Sequence, residues 1–209
     1  MISTGIALIP DVATIREVMR IQQAAQMIVP LEPILGEDEY LPHITLLQGN
    51  SDSPLASDEL LDQLAHMLLT TPPQLSIAGA SYVNRGWYFL DVRQLPLLDD
   101  MHELAFRCCR SRMIPPASID KVSINGYTPS QVQNYTAYGY RYIGSDFRPH
   151  ITMGRTLDKR AAQRDAELLD LLSKLSESLS FSVSSFTSYC MGVNGGHLRA
   201  IATRSINRF

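Results

Sequence analysis

The residues best suited to chemistry come as a repeated tetrapeptide. Pro42-His43-Ile44-Thr45 recurs as Pro149-His150-Ile151-Thr152, 107 positions along the chain. A single His-x-Thr is weak, but the same four residues twice is a coincidence on the order of one in a thousand from average usage. In an extended strand, side chains two apart share a face. Each copy therefore projects one imidazole and one hydroxyl side by side, while Ile44 and Ile151 turn the other way, into a core. If the two copies meet, two imidazoles and two hydroxyls converge. That set suits displacement at phosphorus without a metal. One histidine takes the proton of the attacking oxygen and the other gives a proton to the leaving oxygen. The hydroxyls donate to the non-bridging oxygens as charge builds there.

Both copies sit in similar surroundings. The opening "TGIALIP" alternates, ends at Pro10 and reads as a strand. Asp11 caps a helix to about Met27, with Val12, Ile15 and Met19 on one face. The first motif strand spans about 42–48, and Ser57 caps a helix over 58–69. "QLSIAGAS" and "WYFLDV" are strands flanking a turn at "NRG", and Pro96 opens a helix to about Arg110. The second motif strand covers 149–154. After it come a helix from Asp158 to about Leu175, the alternating strand "SLSFSVSS", a turn at "VNGG" and the return strand "HLRAIATR". Both halves run motif strand, helix, strand, turn, strand, and "QLSI" and "SLSF" fall at matching places. This predicts one domain over 1–209. Its motif halves lie at about 30–110 and 140–209, with an irregular connection at about 111–147. Within that connection, "AYGYRYIG" is expected to be partly a strand.

Composition narrows the function. The chain has 209 residues, 45% hydrophobic, and a net charge of -3 with no Lys/Arg-rich run. An ordinary core is expected, and tracking along a long nucleic acid is not. "MISTGIALIPDV" lacks the basic start and long apolar run of a secretory signal, and no stretch approaches a membrane span. Cys108, Cys109 and Cys190 show no metal-ligand spacing. Small core hydrophobes in a reducing cytosol is the expectation for them, and for the chain no membrane, metal or cofactor.

The paired motifs resemble the His-x-Thr signatures of the 2H phosphoesterase superfamily, which includes the RNA 2′,3′-cyclic phosphodiesterases also known as 2′-5′ RNA ligase-like proteins. The resemblance covers most of the chain. It implies an α+β, bilobal, duplicated fold, with two mainly antiparallel sheets facing a central cleft and helices outside. It also implies metal-independent hydrolysis of a 2′,3′-cyclic phosphate on a nucleotide or RNA 3′ end. Carried over, His43 and His150 are the acid–base pair, His43 as proton donor and His150 as acceptor, and Thr45 and Thr152 hold the phosphate. The motif separation is longer and the charge less basic than in the RNA-processing members, which weighs against polymeric RNA. A phosphate-binding module without turnover, a 2′-5′ phosphodiesterase and a small-metabolite phosphoesterase are the alternatives. A monomer is expected.

Further site candidates come from the residues themselves. Arg155 lies five after His150, where the first copy has Gln48, and could clamp a phosphate. Arg141, with Tyr140 and the alternating tyrosines beside it, could line the cleft and stack a base. His66, His102 and His197 read as structural or surface residues.

Overall fold

The computed structural model describes residues 1–70, 73–83, 86–119, 124–158 and 163–206. Among the described residues, eight strands and five α-helices make an α+β fold. The strands are β1 (Ile2–Pro10), β2 (Ile44–Ser51), β3 (Leu75–Val83), β4 (Trp87–Val92), β5 (His150–Arg155), β6 (Ser180–Phe181), β7 (Val183–Met191) and β8 (His197–Ser205). The helices are α1 (Val12–Gln26), α2 (Asp58–Thr70), α3 (Pro96–Cys109), α4 (Pro129–Tyr138) and α5 (Asp165–Ser176).

All eight strands belong to one sheet, ordered β6-β3-β4-β5-β2-β1-β7-β8, and every pairing in it is antiparallel. Two separate sheets were expected. Instead the motif strands β5 and β2 are neighbours at the centre, joined by one register pair, Ile44 opposite Ile151. The reason lies in the motif itself: both isoleucines are fully buried in the main core. Covering both apolar faces with the same helical layer brings the strands edge to edge. Antiparallel register then sets His43 across from Thr152 and Thr45 across from His150.

Local signals explain the elements around this seam. Asp11 accepts from the Thr14 amide at 2.9 Å, capping α1, and also from the Ser182 amide at 3.2 Å, tying the helix start to the junction of β6 and β7. Ser57 accepts from the Leu60 amide at the head of α2. Helices α2, α3 and α5 pack on the sheet: α3 on β2, α2 on β7 and β8, α5 on β3 and β4. Thus the helix that follows each motif strand covers the outer strands on that strand's own side of the sheet. The expected order of elements after each motif is present. The turn at residues 84–85 and the segment 159–162 after Asp158 lie outside the described residues.

The connection departs from expectation. Residues 129–138 are helical, so "AYGYRYIG" is no strand. Thr128-Pro129-Ser130-Gln131 forms a capping box with Pro in the first turn, and Gly139 ends the helix in the left-handed region at φ 73. Tyr140 to Ile143 then run on without ladder pairing. Among the described residues, no helix is long and apolar enough to cross a membrane.

Candidate active site

Both motifs open into one cleft of about 330 Å³, lined by His43, Thr45, His150 and Thr152. The expected convergence is therefore present. Each imidazole is fixed in the same way. His43 Nδ1 lies 2.7 Å from the Leu41 carbonyl, and His150 Nδ1 lies 2.7 Å from the Arg148 carbonyl. A carbonyl only accepts, so Nδ1 carries the proton in each ring and the neutral ring presents a bare Nε2. Neither Nε2 is a buried orphan, and both rings line the cleft.

The proline before each histidine contributes to this anchoring. It cannot donate to the ladder, so the chain enters the strand from an extended bend. The carbonyl two residues back then turns toward the ring. Behind His150 that carbonyl is itself braced. The Arg148 guanidinium sits 2.8 Å from the Asp91 carboxylate and donates to Ser81 Oγ at 2.7 Å, and Asp91 is the cross-strand partner of His150.

A bulge follows each threonine. Ala7 pairs with Thr45 but Ile6 with Leu47, so Leu46 is extra. Phe89 pairs with Thr152 but Tyr88 with Gly154, so Met153 is extra. An extra residue reverses which side chains face the cleft beyond it. Strict alternation turns the fifth residue after each histidine away from the cleft. With the bulge, Gln48 and Arg155 both return to it. The Arg155 guanidinium carbon lies 5.5 Å from the Trp87 ring centroid, and Trp87 lines the cleft too.

Aromatic rings wall the site. Phe89 packs on His150 at 4.1 Å between centroids, and Tyr142 approaches it at 5.4 Å. Tyr189 lies 5.2 Å from His43 and crosses the sheet to within 3.4 Å of both Thr45 Oγ1 and Gln48 Oε1. Gly5 makes that crossing possible, since a Cβ there would stand 2.4 Å from the Tyr189 ring. This burial pushes both catalytic candidates toward the neutral form. For His43, desolvation comes first and the neighbouring His197 second, bringing it to about 3. His150 falls to about 4, again mainly by desolvation, with the Asp91 carboxylate opposing the shift.

His197 is the residue that sequence reasoning missed. It was read as structural or surface, yet it lines the cleft, stacks on Tyr189 at 4.6 Å and lies 5.6 Å from His43. Its Nε2 bonds Thr187 Oγ1 at 3.0 Å, and burial lowers its pKa to about 4. The β7–β8 hairpin brings it there, Met191 opposite His197; the turn at "VNGG" announces the hairpin, but nothing local says that its turn end lies at the cleft. His66 is exposed, as read. His102 is buried, accepting from the Gly144 amide while its Nδ1 meets the Leu46 carbonyl. It thereby ties the connection to β2. Tyr140 and Arg141 both line the cleft, though from a loop. Among the described residues, no group of three or more His, Cys, Asp or Glu is placed to hold a metal ion.

Fold and site together define an α+β protein whose paired His-x-Thr strands meet at the centre of one antiparallel sheet. The chain belongs to the family described as "Protein of unknown function (DUF1045)", whose pattern matches residues 53–194. That span includes the second motif and begins after the first. No curated protein matches the chain. Among solved structures, it is similar to Usb1 of Kluyveromyces marxianus, with a TM-score of 0.46 and 10% identity over 98% of this chain and 97% of that one. It is also similar to a protein described as a phosphoesterase, with a TM-score of 0.45 and 12% identity over all of both chains. At this level of likeness neither bears on the chemistry of the cleft.

Proposed function

We propose that the protein is a phosphodiesterase of the 2H type, hydrolysing a 2′,3′-cyclic phosphate on a nucleotide or an RNA 3′ end. One observation carries the reading: two imidazoles share a cleft, each with Nδ1 held by the carbonyl two residues back and Nε2 left for chemistry, beside two threonine hydroxyls. Binding alone has no need for a matched pair of proton carriers.

In the reaction, water attacks phosphorus and passes its proton to His150 Nε2. The bond from phosphorus to one ribose oxygen breaks, and that oxygen takes a proton from His43 Nε2. Thr45 and Thr152 donate to the non-bridging oxygens as charge develops. The depressed pKa values mean that both rings are neutral while the cleft is empty. A bound diester anion favours the imidazolium, so the protein takes up one proton with its substrate. Each proton transfer contributes about 10²–10⁴-fold.

The test uses 2′,3′-cyclic mononucleotides, cyclic-ended oligonucleotides and 2′-5′ oligoadenylates, each with EDTA present. Turnover of the cyclic substrates is expected to survive chelation and to vanish in His43→Ala and His150→Ala. Turnover that needs added metal, or that persists in both variants, would count against the mechanism. A diester with a p-nitrophenolate leaving group needs no proton donor. It should rescue His43→Ala and leave His150→Ala inactive, and the reverse pattern would exchange the two roles.

A further inference from the structure

The cleft wall on the connection side holds a cation in an unusual setting. The Arg141 guanidinium carbon lies 4.6 Å from the Tyr127 ring centroid and 4.4 Å from that of Tyr142. One of its nitrogens donates to the Tyr142 hydroxyl at 2.5 Å. Ring contacts of this kind occupy the flat faces of a guanidinium and, of the five N–H donors on its edge, leave those not given to Tyr142 for further contacts. The backbone beneath is fixed as well: Asn134 donates to the Arg141 and Ile143 carbonyls at 3.3 and 3.1 Å and to Asp146 at 3.1 Å. No ion pair to Arg141 occurs among the described residues, and no Asp or Glu is among the described residues lining the cleft.

Charge balance gives this setting a meaning. Arg141 brings a guanidinium to a cleft with no acidic side chain among its described lining, in a chain of net charge -3. A cyclic phosphate brings one negative charge, and an imidazolium with two hydroxyls already meets it. A substrate neutral elsewhere would leave the Arg141 charge without a counter-charge in a partly desolvated cleft. A phosphomonoester carries about -1.5 to -2 charges near neutrality and three strong acceptors, which fits a pre-set arginine fork.

We propose that Arg141, held between Tyr127 and Tyr142, is a second anion subsite, selecting substrates that carry a phosphomonoester in addition to the reacting phosphorus. The inference rests on the phosphodiesterase reading for the identity of the first anion. It makes the preferred substrate a doubly phosphorylated small molecule, of the kind produced when a 5′-phosphorylated nucleotide is cyclised at its 2′ and 3′ oxygens.

Calorimetry with two ligands that do not turn over tests this: adenosine 3′-monophosphate and adenosine 3′,5′-bisphosphate. In the unaltered protein the extra phosphate should tighten binding by about tenfold or more, as a charge-assisted pair does. In Arg141→Gln that gain should fall below about twofold, while the monophosphate binds as before. No gain in the unaltered protein overturns the proposal. So does an equal loss for both ligands, which would place Arg141 on the reacting phosphate. Should Arg141→Gln melt early, Arg141→Lys keeps the charge without the fork, and an undiminished gain there overturns it too. Failure of the phosphodiesterase reading would appear separately, as cyclic substrates left intact.

Discussion

Lowering the pH from roughly 8 to roughly 5 should cost this fold a large share of its stability, and the cost can be worked from three rings. His43, His150 and His197 titrate in the folded chain at about 3, about 4 and about 4. In the unfolded chain a histidine titrates near 6.5. The unfolded chain therefore binds the extra protons first, and stability falls as the pH drops below that value. The contribution is fully present above about 6.5 and is lost progressively toward about 4 and about 3. Between roughly pH 8 and 5, each ring removes about 2 kcal/mol, or about 6 kcal/mol for the three. That is comparable to the whole stability of a typical domain, about 5–15 kcal/mol. Urea melts across this range measure it directly. His197→Gln provides the control, because it should remove about one third of what these three rings contribute to the pH dependence, whatever it does to stability at neutral pH. A flat profile between the two pH values, or an unchanged slope in the variant, would refute the claim that these rings are held neutral by burial.

Other outcomes follow from the same geometry. Thr45→Val and Thr152→Val preserve shape but remove the donors, so each should lower kcat by about 10²-fold with little effect on the thermal midpoint. Asp91→Asn takes the carboxylate from Arg148 and loosens the carbonyl that anchors His150. It should lower kcat about ten- to a hundredfold with KM nearly unchanged, and a loss confined to KM would contradict the bracing role. Gly5→Ala puts a methyl where the Tyr189 ring lies, so a loss of about 1–3 kcal/mol is expected by denaturant melting.

Much of this arrangement was legible in the residues. The period of two in "SLSFSVSS", the caps at Asp11 and Ser57 and the repeated Pro-His-Ile-Thr are local signals, and the corresponding elements stand where those signals put them. Strand partners are not local. Nothing in Ile44 or Ile151 says that they face each other, so a single sheet could not be told from two. The bulges at Leu46 and Met153 are equally silent, yet they decide that Gln48 and Arg155 face the cleft. His197 reaches the site only through the β7–β8 register. The misread connection is a different case. Thr128-Pro129-Ser130-Gln131 carries a helix-start signal, whereas the tyrosines that follow favour strands intrinsically, and the strand expectation rested on them alone.

The central claim is that His43 and His150 act on one phosphorus atom. A nucleoside–vanadate adduct mimics the five-coordinate state, and ¹⁵N NMR of labelled imidazoles reports each ring separately. Addition of one equivalent should shift the Nε2 signals of both histidines together, with the Nδ1 signals still those of a protonated nitrogen. A response from one ring alone, or two responses at different stoichiometries, would contradict the account.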